Sequence, residues 1–353
     1  MNTPEKMKAL VLHGLGDIRL EERVVPRPGS GEALVKVAAA GVCGSDIPRV
    51  FTTGAHRHPI IPGHEFSGSV VEVGHGVDAA ILGLRAAVAP LIPCRKCRYC
   101  EVGRFALCDD YDYLGSRRDG GFAEYCAAPA QNLVPIPAGV SMEAAAMVEP
   151  SGVALHGLRL IRVEPGDFVA IFGAGPVGCM IAQFAASMGA DRIAVIDVED
   201  GRLSSAAGMA KCETINPRRS DPIAALRGMT DGQGVDVAVE AAGVPATLVA
   251  SIECVRKLGR VLLLGNPASD ATLPKATISR ILRGEIEIRG TWNADFNRIP
   301  HHDWATVLDA FVRGAVNPDP AITHRVGIEN GVSALLMMRD RTEFHQKVMI
   351  CFS

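Results

Sequence analysis

The sequence predicts an α/β protein of two domains, one mostly β and the other built on a doubly wound parallel sheet. Three observations lead to this prediction. At 353 residues, the chain exceeds the size at which a single hydrophobic core keeps growing. Short strand-like runs between glycine and proline turns fill about the first 150 residues. Strand and helix patterns then alternate from Asp167 onward, as in doubly wound sheets.

The N-terminal part is predicted to be mostly strands and loops. Apolar runs within residues 7–39, and again at 67–74 and 85–91, have the length and turn boundaries of antiparallel strands. Residues 142–161 predict a helix that is interrupted near Glu149 and Pro150, because proline breaks helix interiors. No internal repeat or low-complexity tract is visible.

The α/β part is predicted to hold six parallel strands, which match a Rossmann-type doubly wound sheet. The predicted strands are 168–172, 192–197, 213–216, 235–240, 260–265 and 285–291. The predicted helices are 177–189, 200–210, 219–228, 245–258 and 274–283. A helix at 302–313 and a last strand at 347–351 suggest a tail that returns to the first domain. We therefore predict one domain from residues 1–152 and 293–353, and a nucleotide-binding domain from residues 153–292.

A glycine motif opens the second domain, directly after its first predicted strand. Gly173 permits a tight turn, Gly175 lets the backbone approach a pyrophosphate, and Gly178 lets the helix pack closely on the strand. Pro176 and Val177 begin the helix, whose first amides face the phosphate charge. An ordinary strand-to-helix turn is the alternative. The segment 168–190 is also long enough to span a membrane, but three glycines and a proline in its first third argue against a membrane span.

Asp197 closes the second predicted strand, where the adenosine ribose of a dinucleotide should lie. A carboxylate there accepts hydrogen bonds from the 2'-hydroxyl and repels a 2'-phosphate, so we expect NAD rather than NADP. Arg202 is close enough in sequence to moderate that preference, unless it is simply a solvated helix residue.

Four of the ten cysteines are clustered between residues 94 and 108. Cys94, Cys97, Cys100 and Cys108 have the spacing C-x2-C-x2-C-x7-C. Such thiolates can close a tetrahedral zinc site that has no vacancy for chemistry, so the zinc would be structural. Disulfides need an oxidising compartment, which nothing indicates, and an iron-sulfur cluster uses the same ligand type.

A second set of possible metal ligands is dispersed. Cys43 lies in a glycine-flanked turn, His64 and Glu65 follow some twenty residues later, and Glu149 lies in alanine-rich surroundings where an unpaired carboxylate is costly. Three protein ligands with one open position describe a catalytic zinc site. For Glu149 the alternative is a helix-end acid that reaches solvent.

An open zinc and a dinucleotide together indicate alcohol oxidation. The metal would act as a Lewis acid that stabilises the alkoxide, and the nicotinamide would accept the hydride. Ser45, two residues after Cys43, could pass the substrate proton onward, or it could cap a helix.

Composition excludes several other classes. The net charge of −3 and a charged fraction of 21% show no basic excess for nucleic acid. The first residues contain scattered charges and no apolar signal segment, so we expect a cytoplasmic protein without a membrane partner.

The motifs CGSD, PGHEFSGSVVEVG, the cysteine lobe, DGGFAEY, the EP at 149–150 and GAGPVG occur in this order. In this respect the chain resembles the zinc-dependent medium-chain dehydrogenases, the family of alcohol and sorbitol dehydrogenases. The resemblance implies a GroES-like first domain and two zinc ions per chain. The catalytic zinc would lie on Cys43, His64 and Glu149, with Glu65 as an additional or alternating ligand, and the structural zinc on the four clustered cysteines. It also implies a homodimer or homotetramer.

Residues 43–59 and 111–125 look like those of members that oxidise a phosphorylated hexitol such as galactitol 1-phosphate with NAD. A polyol or polyol phosphate is therefore the expected substrate, with Arg49, Arg117, Arg118 and Lys275 as candidates to bind its phosphate. Many relatives have a proton-relaying histidine where this chain has Pro48, so the relay must run otherwise. The alternatives are an unphosphorylated sugar-alcohol dehydrogenase of the sorbitol or xylitol type, and a non-catalytic cofactor-binding protein on this fold.

Overall fold

The computed structural model describes residues 3–297 and 302–352, which divide into two compact units. The first unit is Met1–Glu149 with Asp295–Val312 and Ile322–Ser353, and the second is Pro150–Ala294 with Arg313–Ala321. The predicted division placed residues 313–321 in the first domain, whereas the structure places them in the second unit. Asn317 explains this, because its N–H donates to Gln183 Oε1 at 2.8 Å and its carbonyl accepts from Gln183 Nε2 at 3.1 Å.

The N-terminal part of the chain consists of strands, turns and short helices, as predicted. Its elements are β1 (Lys6–Gly14), β2 (Asp17–Val24), β3 (Glu32–Val42), α1 (Asp46–Pro48), β4 (Glu65–Val73), β5 (Arg85–Val88), β6 (Leu91–Ile92), α2 (Arg98–Glu101), β7 (Asp112–Tyr113), β8 (Tyr125–Pro129), β9 (Leu133–Pro135) and α3 (Met142–Ala146).

Strands and helices alternate in the middle of the chain. The elements are α4 (Val148–Ile161), β10 (Phe168–Phe172), α5 (Pro176–Ser187), β11 (Arg192–Ile196), α6 (Asp200–Met209), β12 (Glu213–Ile215), α7 (Pro222–Gly228), β13 (Val235–Glu240), α8 (Pro245–Cys254), β14 (Val255–Leu263), α9 (Lys275–Gly284) and β15 (Glu287–Gly290). The last elements of the chain are α10 (Asp303–Val312), β16 (Ile322–Gly327), α11 (Gly331–Asp340) and β17 (Lys347–Cys351).

The first unit is organised on a seven-stranded sheet of order β16-β17-β3-β4-β5-β9, in which β8 also pairs with β3. The long strand β3 is central, because β4 and β17 pair with it in antiparallel register and bring Glu65 opposite Gly41 and Val348 opposite Val42. The ends of three strands therefore meet beside Cys43. The sheet's apolar side chains form one buried cluster with the β1–β2 hairpin.

The second unit is a six-stranded parallel sheet of order β12-β11-β10-β13-β14-β15. Numbered within the unit this is 3-2-1-4-5-6, the doubly wound order, so the predicted Rossmann fold is confirmed. Its strands read as continuous apolar runs, such as Phe168–Phe172, because helices cover both faces of a parallel sheet. In this order the topology reverses between β10 and β13, where Rossmann folds bind ligands.

Several predicted boundaries differ from the observed ones, two of them for clear physical reasons. The helix break lies at Met147, not at Glu149 and Pro150, because Pro150 sits in the first turn of α4, where its missing N–H costs nothing. The predicted helix 245–258 ends at Cys254, because Val255 already pairs with Val235 in the parallel sheet. No helix among the described residues is both long and apolar enough to cross a membrane, so residues 168–190 are not a span.

Candidate functional site

Three possible metal ligands meet at the ends of β3 and β4. Cys43 follows β3, His64 precedes β4, and Glu65 is the first residue of β4. Antiparallel pairing of Gly41 with Glu65 brings them together, and their ligand atoms all lie within 4.8 Å of one another. His64 and Glu65 are buried, whereas Cys43 is partly accessible. The site thus offers a sulfur donor from one segment, and nitrogen and oxygen donors from two adjacent residues more than 20 positions later.

A buried lysine accompanies Glu65. Lys347 begins β17, and its Nζ donates to Glu65 Oε2 at 2.5 Å and to the Val42 carbonyl at 3.2 Å. The Lys347 side chain is 3% exposed and the Glu65 side chain 1% exposed, so each charge can be buried only because the other compensates it. Burial lowers the Lys347 pKa, but the charges of Glu65 and Cys43 outweigh it and raise the pKa above its usual value. Gly41 makes room for this pair, since a Cβ there would lie 2.4 Å from Glu65 Oε2.

Asp46 holds the turn that carries Cys43. Its carboxylate is fully buried, accepts from the Cys43 N–H at 3.0 Å and from Arg49 Nη1 at 2.5 Å, and lies 3.4 Å from His64 Nδ1. The contact between Asp46 and His64 is an ion-pair contact and not a hydrogen bond. The buried His64 Nδ1 has no hydrogen-bond partner among the described residues. Burial lowers the His64 pKa, but Asp46 and Cys43 raise it well above the usual value. These negative neighbours favour a cation at this place.

Glu149 lies beside this group but outside it. Its carboxylate is buried and accepts from the Tyr113 hydroxyl at 3.4 Å, while the Tyr113 ring packs edge-on to His64 with centroids 5.9 Å apart. Burial raises the pKa of Glu149 to about 7, and the nearby Glu65 carboxylate adds to the increase. Of the two predicted carboxylates, Glu65 is the one whose oxygen lies within 4.8 Å of the ligand atoms of Cys43 and His64, and Glu149 as a zinc ligand stays a prediction.

Ser45 is the N-cap residue of α1, but its side chain makes no capping hydrogen bond, so the structural alternative to a relay role is not observed. Pro48 ends α1 and its carbonyl accepts from Thr52 and Thr53. Among the phosphate candidates, Arg49 and Arg118 are already engaged by carboxylates, Asp46 for the first, and Glu32 at 2.5 Å for the second. Lys275 is exposed at the start of α9 in the second unit.

The four clustered cysteines also come together. Their sulfurs lie within 4.8 Å of one another, and Cys97 Sγ is 3.9 Å from Cys108 Sγ. A tetrahedral site with Zn–S bonds of about 2.3 Å has sulfurs roughly 3.8 Å apart, so this group fits zinc. All four are free thiols, which excludes a disulfide arrangement. Hydrogen bonds from the backbone of Asp109 and Cys100 lower the pKa of Cys97 to about 6, whereas burial raises that of Cys100 to about 12, a cost that a bound cation would offset.

The glycine motif forms a turn between β10 and α5 that suits a pyrophosphate. Gly173 has φ +112° and a Cβ there would meet the Ala241 carbonyl carbon at 3.1 Å. At Gly178 a Cβ would lie 2.0 Å from the Gly173 carbonyl oxygen. By contrast, a Cβ at Gly175 would meet nothing within 4 Å, and Gly175 is the N-cap of α5, with Pro176 and Val177 as the next residues. The backbone at Gly175 therefore faces open space at a helix N-terminus.

Asp197 anchors that turn. It follows β11, and its Oδ2 accepts from the Ala174 N–H at 2.8 Å while Oδ1 accepts from the Glu199 N–H at 3.0 Å. Each oxygen keeps a second lone pair for a ribose hydroxyl. Arg202 Nη1 lies 4.0 Å from Asp197 Oδ2, at the limit of an ion pair, and its side chain is 36% exposed. The carboxylate thus fixes the backbone of the glycine turn.

Sequence reasoning missed three residues of this site. Asp46 had a local signal, since it follows Cys43 by three residues in a turn. Tyr113 had a weaker one, since Tyr111 and Tyr113 lie close together in sequence. Lys347 had none, because 282 positions separate it from Glu65 and only strand pairing brings the two together.

Comparison with known proteins places the chain among dehydrogenases. Residues 29–138 match the Alcohol dehydrogenase GroES-like domain family, and residues 176–313 match the Zinc-binding dehydrogenase family. The chain is 34% identical to a galactitol 1-phosphate 5-dehydrogenase of Escherichia coli K12, over 93% of this chain and 95% of the relative. It is 37% identical to a sorbitol dehydrogenase of Bacillus subtilis, over 81% and 82% of the two chains.

Solved structures show the same relationship. The crystal structure of galactitol-1-phosphate dehydrogenase from Escherichia coli superposes with a TM-score of 0.91 at 33% identity, covering 98% of this chain and 100% of the other. A putative zinc-binding dehydrogenase from Sinorhizobium meliloti, bound to NADP, has a TM-score of 0.90 at 30% identity, covering 99% and 100%.

Proposed function

We propose that this chain, which belongs to the family of zinc-binding medium-chain alcohol dehydrogenases, oxidises a secondary alcohol of a polyol or polyol phosphate to a ketose. Membership makes it an oxidoreductase with a GroES-like domain and a Rossmann domain. The galactitol 1-phosphate, sorbitol and xylulose activities in the names of its relatives support a polyol-type substrate.

The observation that carries the proposal is the donor group of Cys43, His64 and Glu65. With Glu149 beside it, this group can supply three ligands to a catalytic zinc from Cys43, His64 and one of two carboxylates. A zinc held there would polarise the substrate hydroxyl and a nicotinamide would accept the hydride. Lys347 competes for Glu65, so Glu65 bonds to zinc only by giving up part of an ion pair. Asp46 keeps the Cys43 turn in place, and Ser45 is left free to receive the substrate proton.

We further propose NAD as the cofactor and a second, structural zinc on the four clustered cysteines. Asp197 supports NAD, since its buried carboxylate would face the 2'-phosphate of NADP and repel it. Arg202 lies close enough to weaken that repulsion, and one structural relative is bound to NADP, so discrimination should be finite.

A homodimer or homotetramer is supported by the free edge of the second unit's sheet. β15 is the edge strand, and exposed apolar side chains lie on or next to it and on α9, among them Ile288, Trp292, Ile278 and Leu282. An uncovered apolar edge is a site for pairing with another chain. Ten free cysteines support a reducing, cytoplasmic location.

The second candidate is an unphosphorylated sugar-alcohol dehydrogenase, which the 37% identity to sorbitol dehydrogenase favours. A non-catalytic role is disfavoured, because a protein without catalysis has no use for this partly accessible donor group. Comparing kcat/KM for galactitol 1-phosphate with that for free galactitol and sorbitol decides between the first two. We expect the phosphorylated substrate to be preferred. Equal or better values on the free polyols would make the second candidate correct, and no turnover of any of them would remove the proposal.

A further inference from the structure

The first unit contains a cavity of about 600 Å³ next to the cysteine lobe. This volume is in the range that small-molecule sites in proteins occupy. Its lining mixes polar and apolar groups and includes three cations, Arg57, Lys96 and Arg117, together with Asp110, Asp112 and Tyr111. Cys94 of the cysteine lobe also lines it, whereas Cys43, His64, Glu65 and Glu149 do not.

Two of the cations are available to a ligand. Arg117 is half-buried and stacks on the Tyr111 ring, with its guanidinium carbon 4.5 Å from the ring centroid. Stacking holds the guanidinium plane without using up its five N–H donors. Within residues 3–297 and 302–352, neither Arg117 nor Lys96 forms an ion pair with a carboxylate. Arg57 pairs with Asp119 at 3.3 Å, but both side chains are 53% exposed, so this pair is weak and easily exchanged.

The carboxylates of the lining do not cancel these cations. Asp112 lies 3.6 Å from Arg118 Nε and shares that guanidinium, which is outside the lining, with Glu32. Asp110 remains, and a carboxylate accepts hydrogen bonds from hydroxyl groups. A cavity with free cations and one free acceptor suits a molecule that carries both an anion and several hydroxyls.

The cavity is connected to the metal-binding group by aromatic contacts. The Tyr111 ring packs edge-on to Tyr113 with centroids 6.3 Å apart, and Tyr113 in turn contacts His64 and Glu149. A molecule held in the cavity therefore lies two ring contacts from the candidate catalytic centre.

We propose that this cavity is an anion subsite, in which Arg117 and Lys96 bind the phosphate of a polyol phosphate. The inference rests on the proposed function and specifies its substrate class. It selects Arg117 from the four candidates predicted from sequence and adds Lys96, whereas Arg49 and Arg118 are committed to the Asp46 and Glu32 carboxylates.

The test compares Arg117→Met, Lys96→Met and the double variant with the wild-type zinc-loaded enzyme. Hydrogen bonds to charged groups predict that each single variant lowers the ratio of kcat/KM on galactitol 1-phosphate to kcat/KM on galactitol by about 10- to 100-fold. Arg117→Lys keeps the charge and should recover part of this ratio. Arg98→Met is the matched control, because Arg98 stacks on Tyr99 in the same lobe at 4.9 Å but does not line the cavity. An unchanged ratio in the double variant would overturn the proposal.

A binding measurement separates failure of the subsite from failure of the proposed function. Calorimetric titration of the zinc-loaded protein with galactitol 1-phosphate should show binding that weakens about 10-fold or more in Arg117→Met but not in Arg98→Met. If this holds while the wild type oxidises no polyol, the subsite stands and the proposed reaction is wrong. If the wild type oxidises the phosphorylated substrate and the double variant binds it as tightly, the reaction stands and the subsite is wrong.

Discussion

The buried ion pair between Lys347 and Glu65 gives the sharpest prediction about stability. Removing the ammonium in Lys347→Met leaves a buried carboxylate with no compensating cation, since the two side chains are 3% and 1% exposed. Breaking a buried pair from one side costs about 3–5 kcal/mol. Methionine fills most of the lysine volume, so the loss reports the missing charge and not a cavity.

The measurement is thermal unfolding of the zinc-free protein, followed by circular dichroism, because a zinc ion bound to Glu65 would itself compensate the carboxylate. At roughly 2–4 °C per kcal/mol for units of this size, Lys347→Met should lower the Tm by about 6–20 °C. Lys8→Met is the matched control, because Lys8 forms an equally short pair with Glu329, at 2.6 Å, whose side chains are 49% and 55% exposed. Such exposed pairs contribute about 0–1 kcal/mol, so the control should stay within a few degrees of the wild type.

A double variant tests the cause. Lys347→Met with Glu65→Gln removes both charges, so it should be more stable than Lys347→Met alone. Equal Tm values for Lys347→Met and Lys8→Met, or a double variant as unstable as the sum of its single changes, would refute a compensated buried pair.

Three further predictions concern the cofactor site and the cysteine lobe. Gly178→Ala should destabilise the protein by a few kcal/mol, because the added Cβ would lie 2.0 Å from the Gly173 carbonyl oxygen. Gly175→Ala should keep the wild-type Tm, because its Cβ would meet nothing within 4 Å, but it should weaken NAD binding measured by fluorescence titration. Equal Tm losses would contradict this. Asp197→Ala should weaken NAD binding at least 10-fold, since it removes a hydrogen-bond acceptor for the ribose and the acceptor of the Ala174 N–H. It should also lower the ratio of kcat/KM with NAD to kcat/KM with NADP. An unchanged ratio would mean that another residue distinguishes the two cofactors. Cys97→Ser should lower the Tm and the zinc content while leaving most of the activity of the folded fraction, and a wild-type Tm would argue against a structural zinc.

Features that are local in sequence could be predicted. The glycine turn, the acid that follows β11 and the four-cysteine lobe each lie within a few dozen residues, and local spacing carries their chemistry. The alternation of strand and helix patterns also predicted the parallel sheet, because strands buried on both faces are continuous apolar runs.

Features that depend on pairing between distant segments could not be predicted. Lys347 reaches Glu65 only because β17 pairs with β3, and nothing near either residue indicates this. The sequence predicted both Glu65 and Glu149 as ligands, but only the register of β3 against β4 shows that Glu65 lies within the group of Cys43 and His64 while Glu149 lies outside it. Distant pairing also decides which phosphate candidates are available to a ligand. Glu32, 86 positions away in sequence, pairs with Arg118, whereas no carboxylate of the described chain pairs with Arg117.

The central claim is that Cys43 and His64 hold a catalytic zinc distinct from the zinc of the four clustered cysteines. Metal content per chain, measured by inductively coupled plasma mass spectrometry on the wild type and on Cys43→Ser, tests it most directly. We expect about two zinc ions in the wild type and one in Cys43→Ser, from one open and one closed site, with turnover abolished and NAD binding retained. One zinc in the wild type, or full activity in Cys43→Ser, would contradict the claim.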